Sequence, residues 1–234
     1  MRPLEGVRIL DLSQAYAGPF CTMNLADHGA EVIKIERPGV GDQVRTWGPM
    51  KNGESGFHAC LNRNKSGITL DLKSEEGKEV FRRLLKTADV VCENYKVGVL
   101  EKLGFSYEAM KAINPRIIYA NITGFGLNGE LAHRPCYDIV AQAMGGMMDV
   151  HWLCRWTAHQ GGPRNRRQLY RRAFWPSAFS WPSTSVSKPV KAAMWTLPMV
   201  DTMIHIMDHF VIDYTILGGA PLPQRQQRSG HRPL

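Results

Sequence analysis

Three stretches of this 234-residue chain combine residue types that could do chemistry. "GFGLNG" (124–129) has the G-x-G-x-x-G spacing that lets a backbone approach a pyrophosphate, and it follows a strand-like run. Such a fingerprint must open a helix, however, and "ELAHRP" brings Pro135 in soon after the glycines. "HIMDH" (205–209) puts His205 and His209 on one helical face with Asp208 between them, like an inverted zinc-protease motif. The usual acid there is Glu, and no third ligand accompanies the pair. Met203, Ile206, Met207 and Phe210 make the segment a packing helix, and no metal site is expected. "RNRRQLYRRAFWPSAFSWPSTS" (164–185) sets five arginines beside Trp175 and Trp181 without one acidic residue, the make-up of a nucleic-acid arm or a membrane-surface segment.

Charge distribution argues against a nucleic-acid partner. Residues 151–198 hold six Arg, two Lys and no Asp or Glu, which accounts for the whole net charge of +8. Elsewhere the basic and acidic side chains cancel, so one segment makes the protein look basic. Five of the six tryptophans lie in that segment too. No apolar run approaches the roughly 18–20 residues that span a bilayer, and "MRPLEGVRILDLSQ" lacks the apolar centre of a signal peptide. The five cysteines are scattered without C-x-x-C spacing, which suits free thiols in a reducing compartment. A cytoplasmic protein that binds no membrane is expected.

Around these stretches the pattern alternates between two periods. "VRILDL" (7–12), "AEVIKIE" (30–36), "GITLDL" (67–72), "DVVCEN" (89–94) and "RIIYANIT" (116–123) predict strands. Between them, helices are predicted from Pro19 to Gly29, over "SEEGKEVFRRLLKTA" (74–88), in "SYEAMKAIN" and in "YDIVAQAMGGMM". Ser74 suits the N-cap of the second, Glu75 and Glu76 suit its positive end, and Val80, Phe81, Leu84 and Leu85 form its apolar face. Strand and helix alternate with short connections, so the expected fold is α/β: a doubly wound, mostly parallel, Rossmann-like sheet. Ligands of such sheets sit at the carboxyl ends of the strands.

At those strand ends the chain resembles the class III CoA-transferases, of the CaiB/BaiF type that includes formyl-CoA:oxalate and carnitine CoA-transferases. The resemblance is carried by "LEGVRILDLSQAYAGPFCTMNLADHGAEVIKIERPGVGDQVR", by "NKSGITLDLKSEEGKEVFRRLLKTADVVCENYKVGVLEKLGFSYEAMKAINPRIIYANITGFG" and by "RPCYDIVAQAMGGMMDV". It resumes at "MVDTMIHIMDHFVIDYTILGG" from Met199. It implies that coenzyme A is bound as substrate. Arg37 would meet a CoA phosphate, where a guanidinium fork suits paired oxygens. Lys73 and Lys96, just past strands, would reach the pyrophosphate, with Leu70 beside Lys73 in the same contact region. Tyr16 and Ala17 would line the pantetheine end, Asn94 and Tyr95 would contact the same ligand, and Lys102 stands at a further CoA contact. Tyr137 and Asp138 would lie beside the reacting thioester. The partners implied are an acyl-CoA and a carboxylic acid, in an interlaced homodimer. A racemase branch shares the fold but has His where this chain has Tyr137, which favours the transferase over an acyl-CoA racemase. A noncatalytic CoA-binding remnant is the remaining alternative.

The resemblance also implies a nucleophilic Asp in a G-D-x-x-A-G segment about thirty residues beyond Asp138. That register holds Arg166, Arg167 and Gln168, and an arginine has no nucleophilic lone pair at neutral pH. Moving the codons of Arg-Arg-Gln-Leu-Tyr-Arg-Arg forward by one base permits Gly-Asp-Ser-Phe-Ile-Ala-Gly, the missing motif. The same shift turns "HWLCRWTAHQ" into a reading compatible with "IGFADGPPT", and "AAMWTLP" before Met199 permits "GNVDVA". The chain therefore divides into an α/β CoA-binding domain (1–150), an out-of-frame segment (151–198) expected to be irregular, and a returning helix (199–234) that stops short of the small domain. A truncated, inactive fragment is the expectation.

Overall fold

The computed structural model describes residues 2–150 and 192–207, together with Ile212, Thr215, Ile216 and Gly218. β1 (Arg8–Asp11) leads through α1 (Ala17–Asp27) to β2 (Glu31–Glu36). A 3-10 turn over Gln43–Thr46, a hairpin of β3 (Met50–Lys51) and β4 (Glu54–Ser55), and α2 (Gly56–Leu61) precede β5 (Lys65–Thr69). Then come α3 (Glu75–Leu85), β6 (Val90–Glu93), α4 (Val99–Lys102), α5 (Tyr107–Ile113) and β7 (Ile118–Thr123). The described chain closes with α6 (Asp138–Met144), α7 (Met147–Val150), β8 (Ala193–Pro198) and α8 (Met199–Ile206).

Six strands form one sheet in the order β5-β2-β1-β6-β7-β8, and every neighbouring pair is parallel. The order reverses between β1 and β6, which opens a crevice at their carboxyl ends. Side chains of these strands alternate between two cores, as the two-residue period requires. Ile9, Val32, Val90 and Cys92 pack on one face with Cys21 and Leu25 of α1, Ala141 of α6 and Met203 of α8. Leu10, Ile35, Val91 and Tyr119 pack on the other with Phe81 and Leu85 of α3, Leu100 of α4 and Met110 of α5. Helices on both faces make the sheet doubly wound, as expected.

Ser74 caps α3, its hydroxyl accepting the Gly77 N–H at 3.0 Å. Ser74→Ala should lower stability by about 1 kcal/mol in a urea titration; no shift of the midpoint would show the cap to be idle. Three details depart from the sequence reading. Val80 faces outward, 42% exposed, so the buried stripe of α3 runs through Phe81 and Leu85. The third strand is β5, residues 65–69 rather than 67–72, because its pairing ends at Glu36↔Thr69 where β2 ends. The helix expected over 137–148 is broken between α6 and α7 by Gly145 and Gly146. Gly146 takes a left-handed φ of +79°, and a Cβ on Gly145 would overlap Met203, so the glycine lets α6 approach α8 closely.

The β3–β4 hairpin was not expected, although its turn is Asn52-Gly53, both at positive φ (53° and 81°), the pairing that two-residue hairpin turns select. A larger correction concerns the segment 151–198. Its last six residues are β8, fully paired with β7 from Ile118↔Ala193 to Thr123↔Pro198. Met194 and Trp195 remain 49% and 43% exposed, so the backbone ladder, more than side-chain burial, holds this strand. Pro198 ends it, where a missing N–H costs the ladder nothing.

Candidate active site

The crevice between β1 and β6 is built from two turns tied to each other. Asn94 does the tying: its Oδ1 accepts the Gln14 N–H at 2.7 Å and its Nδ2 donates to the Gln14 carbonyl at 2.7 Å. Gly18 lies against Asn94 and Ser13, and a Cβ there would overlap the Ser13 side chain. Ala15, which ends the β1 turn, has a left-handed φ of 63°. The conformation is uncommon for a residue with a Cβ, so it persists only where surrounding bonds hold it.

Buried charges under the β1 turn supply those bonds. Asp11 accepts from Lys65 Nζ at 2.9 Å, Thr22 Oγ1 at 2.7 Å, the Ser13 N–H at 3.0 Å and the Ser13 hydroxyl. Burial alone would raise the Asp11 carboxyl, but Lys34, Lys65 and the two hydroxyls outweigh it and hold the group at about 2. On the other side of the switch point Glu93 is buried and pairs with no cation among the described residues. It accepts the Tyr95 N–H at 2.6 Å, the Tyr119 hydroxyl at 2.6 Å and an Asn121 amide N–H. Burial raises its carboxyl above the ordinary range despite these donors. Burial also pushes the Tyr95 phenol up to about 12, so Tyr95 is a neutral donor at physiological pH.

The sequence-predicted residues divide into three groups. Tyr16, the N-cap of α1, stacks on Phe20 with centroids 5.9 Å apart, and Ala17 is buried as the first residue of α1. With Asn94 and Tyr95 they form the paired turns at the crevice. Asn94 spends both ends of its amide on Gln14, so it braces the turns rather than offering a free amide to a ligand. Arg37, Leu70, Lys73 and Lys96 follow β2, β5 and β6 along the same sheet edge, and Lys102 ends α4 beyond β6. Arg37, Lys73, Lys96 and Lys102 are exposed, and their side chains make no ion pair among the described residues. Leu70 is half-buried, its N–H on the Glu36 carbonyl at 2.8 Å. Tyr137 and Asp138 lie at the start of α6, after β7. Tyr137 is 70% exposed, and Asp138 Oδ2 accepts from Gln142 Nε2 at 2.8 Å.

"GFGLNG" is a loop after β7 that opens no helix. His205 lies in α8, while Asp208, His209 and the nucleophile register at Arg167 and Gln168 fall outside the described residues. Among the described residues no cluster of His, Cys, Asp and Glu could hold a metal ion. The buried thiols are poor nucleophiles, since burial pushes Cys21 up to about 12 and raises Cys92 as well. Sequence reasoning missed the supporting charges Asp11, Lys34, Asp42 and Lys65. The signal was present: Asp11 and Lys34 interrupt otherwise apolar strand runs, where an ionised side chain needs a partner.

The strand order reverses between β1 and β6, and cations stand exposed along the sheet's carboxyl edge, the place where doubly wound sheets hold ligands. The profile of CoA-transferase family III matches residues 4–165. The chain belongs to that family, and the match runs beyond residue 150, where the resemblance was expected to lapse. Mouse succinyl-CoA:glutarate CoA-transferase is 50% identical over 151 residues, covering 64% of this chain and 35% of that enzyme. Acetyl-CoA:oxalate CoA-transferase of Acetobacter aceti is 36% identical over 219 residues, covering 94% of this chain and 56% of the enzyme. A CaiB/BaiF family protein from Brucella suis superposes with a TM-score of 0.83 at 35% identity, covering 94% of this chain and 59% of that one. The chain thus spans between a third and three fifths of these relatives. No helix among the described residues is long and apolar enough to cross a membrane.

Proposed function

We propose that this chain is the coenzyme A-binding part of an enzyme that moves CoA between an acyl-CoA and a carboxylic acid. The observation that carries the reading is the row of exposed cations, Arg37, Lys73 and Lys96, that make no ion pair among the described residues, along the edge where the paired turns lie. Phosphates of CoA would meet this row, and the pantetheine arm would run toward Tyr16 and Ala17. In a complete relative, an Asp carboxylate attacks the acyl-CoA thioester, forming a mixed anhydride and releasing the CoA thiolate. The thiolate then attacks the aspartyl carbonyl and frees the donor's carboxylate. The acceptor carboxylate displaces CoA to form a second anhydride, and CoA takes the acceptor's acyl group and restores the Asp, one difficult transfer split into easier steps. Arg166, Arg167 and Gln168 occupy the register of that Asp, so this chain binds CoA without turning it over.

We place the protein in the cytoplasm, in keeping with the free thiols of Cys21, Cys60, Cys92 and Cys136. Pairing of two chains belongs to the same reading. Calorimetric titration with CoA tests the site. Arg37→Ala should weaken binding about tenfold, the worth of one charge-assisted contact, and Lys73→Ala should weaken it by a similar factor. Unchanged affinity in both variants would mean that CoA does not run along this edge.

A further inference from the structure

Two residues with no ligand-facing role hold the β1 turn from beneath. Asp42 Oδ1 accepts the Ala15 N–H at 2.9 Å and the Val44 N–H at 3.1 Å, and its Oδ2 accepts from Lys34 Nζ at 2.9 Å. Lys34 Nζ also donates to the Ser13 carbonyl. One ion pair therefore grips both ends of the Ser13–Ala15 turn, whose last residue is left-handed. The pair is nearly sealed from water, with side-chain exposures of 3% for Lys34 and 0% for Asp42. It is itself anchored: the Asp42 N–H donates to Glu36 Oε2 at 2.7 Å, and Arg45 holds Glu36 through both carboxylate oxygens, each at 2.7 Å.

A buried ion pair is a weak way to gain stability, because desolvation offsets most of the attraction and an apolar pair of similar volume often does as well. Its effect here is geometric. Removing it frees the Ser13 carbonyl and the Ala15 N–H, so that only the Asn94 bonds to Gln14 and the Asp11 bonds to Ser13 still restrain the turn, and Ala15 can relax to negative φ. That rotation would redirect Tyr16 and Ala17, the next two residues. We infer that Lys34 and Asp42 are positioning residues of the CoA site, setting the direction of Tyr16 and Ala17 through the Ala15 turn. The inference rests on the CoA-binding reading for its functional consequence, but not for the turn geometry.

Two neutral double variants of the full chain test it without stranding a buried charge. Lys34→Met/Asp42→Leu removes both grips, whereas Lys34→Met/Asp42→Asn keeps an acceptor for the Ala15 N–H. Hydrogen exchange over residues 13–20 and CoA affinity are measured beside exchange in β1, β2 and β6. The Leu variant should exchange about tenfold faster over 13–20 and bind CoA about tenfold more weakly, with the strands still protected. The Asn variant should recover most of both losses. Wild-type exchange over 13–20 in the Leu variant would overturn the inference. So would equal loss of protection throughout the sheet, which would make the pair a general stabiliser. Should the unsubstituted chain fail to bind CoA, the functional reading falls, and the exchange of residues 13–20 alone decides whether the pair positions the turn.

Discussion

Lys65→Met should destabilise the fold by about 3–5 kcal/mol, the range for breaking a buried ion pair from one side. Lys65 and Asp11 side chains are 1% and 0% exposed, and Lys65 Nζ sits 2.9 Å from Asp11 Oδ2. The same ammonium donates to the Pro19 carbonyl at 2.9 Å and to Asn62 Oδ1 at 3.0 Å, so it stitches β5 to α1 and to the end of α2. Burial holds the Lys65 ammonium below its ordinary value, and the Asp11 carboxylate is the largest influence acting the other way. Methionine fills the volume but leaves Asp11 without its nearest cation. Against a domain stability of about 5–15 kcal/mol, that loss takes the variant close to unfolding. A urea titration measures it, and a shift worth less than about 1 kcal/mol would show that the pair is dispensable. Lys65→Met/Asp11→Asn, which removes both charges, should regain most of the loss.

The acid limb of stability follows from the same pair. The Asp11 carboxyl, held at about 2 in the fold, ordinarily titrates near 3.8. A lowered folded-state value contributes stability that is fully present above the unfolded value. It drains away as pH falls from about 4 toward 2, amounting to about 2 kcal/mol. Glu36, held at about 2 chiefly by its bonds to Arg45, adds to the same limb. In Lys65→Met the stability should fall less steeply through this window, because the native state then gains less from an ionised Asp11.

Incubated with an acyl-CoA and a carboxylic acid, the chain should form no new thioester and carry no adduct in its intact mass. On the proposed reading the transfer requires a carboxylate nucleophile, and the register that the resemblance implies for it reads Arg166-Arg167-Gln168. Loss of a covalent nucleophile removes the anhydride path altogether, an effect of many orders of magnitude in rate. No buried thiol can stand in, since burial holds Cys21 at about 12 and raises Cys92 too. An acyl or CoA adduct on this polypeptide, located by peptide mass spectrometry, would refute the assignment. CoA binding without an adduct is the expected combination, and it separates a defect of chemistry from a defect of the binding edge.

By itself the sequence determined the α/β alternation, the positions of the core strands and most helices, and the residues that edge the crevice. It could do so because those properties are local. Two-residue and 3.6-residue periods in "VRILDL" and "EVFRRLL" mark strand and helix, and a cation just past a strand lies at the sheet's carboxyl edge whatever the strand order. Tertiary structure decided what depends on distant pairing. That Asn94 spends its amide on Gln14, 80 residues away, follows only once β1 and β6 are neighbours across the switch point. That Ala193–Pro198 is a strand follows from the open edge of β7, whose unpaired ladder accepts a backbone almost regardless of its side chains. And the charges of Asp11, Lys34, Asp42 and Lys65, which look like interruptions or surface residues along the chain, become one buried support. Only folding brings each within reach of its partner, and without that partner burial would not be tolerated.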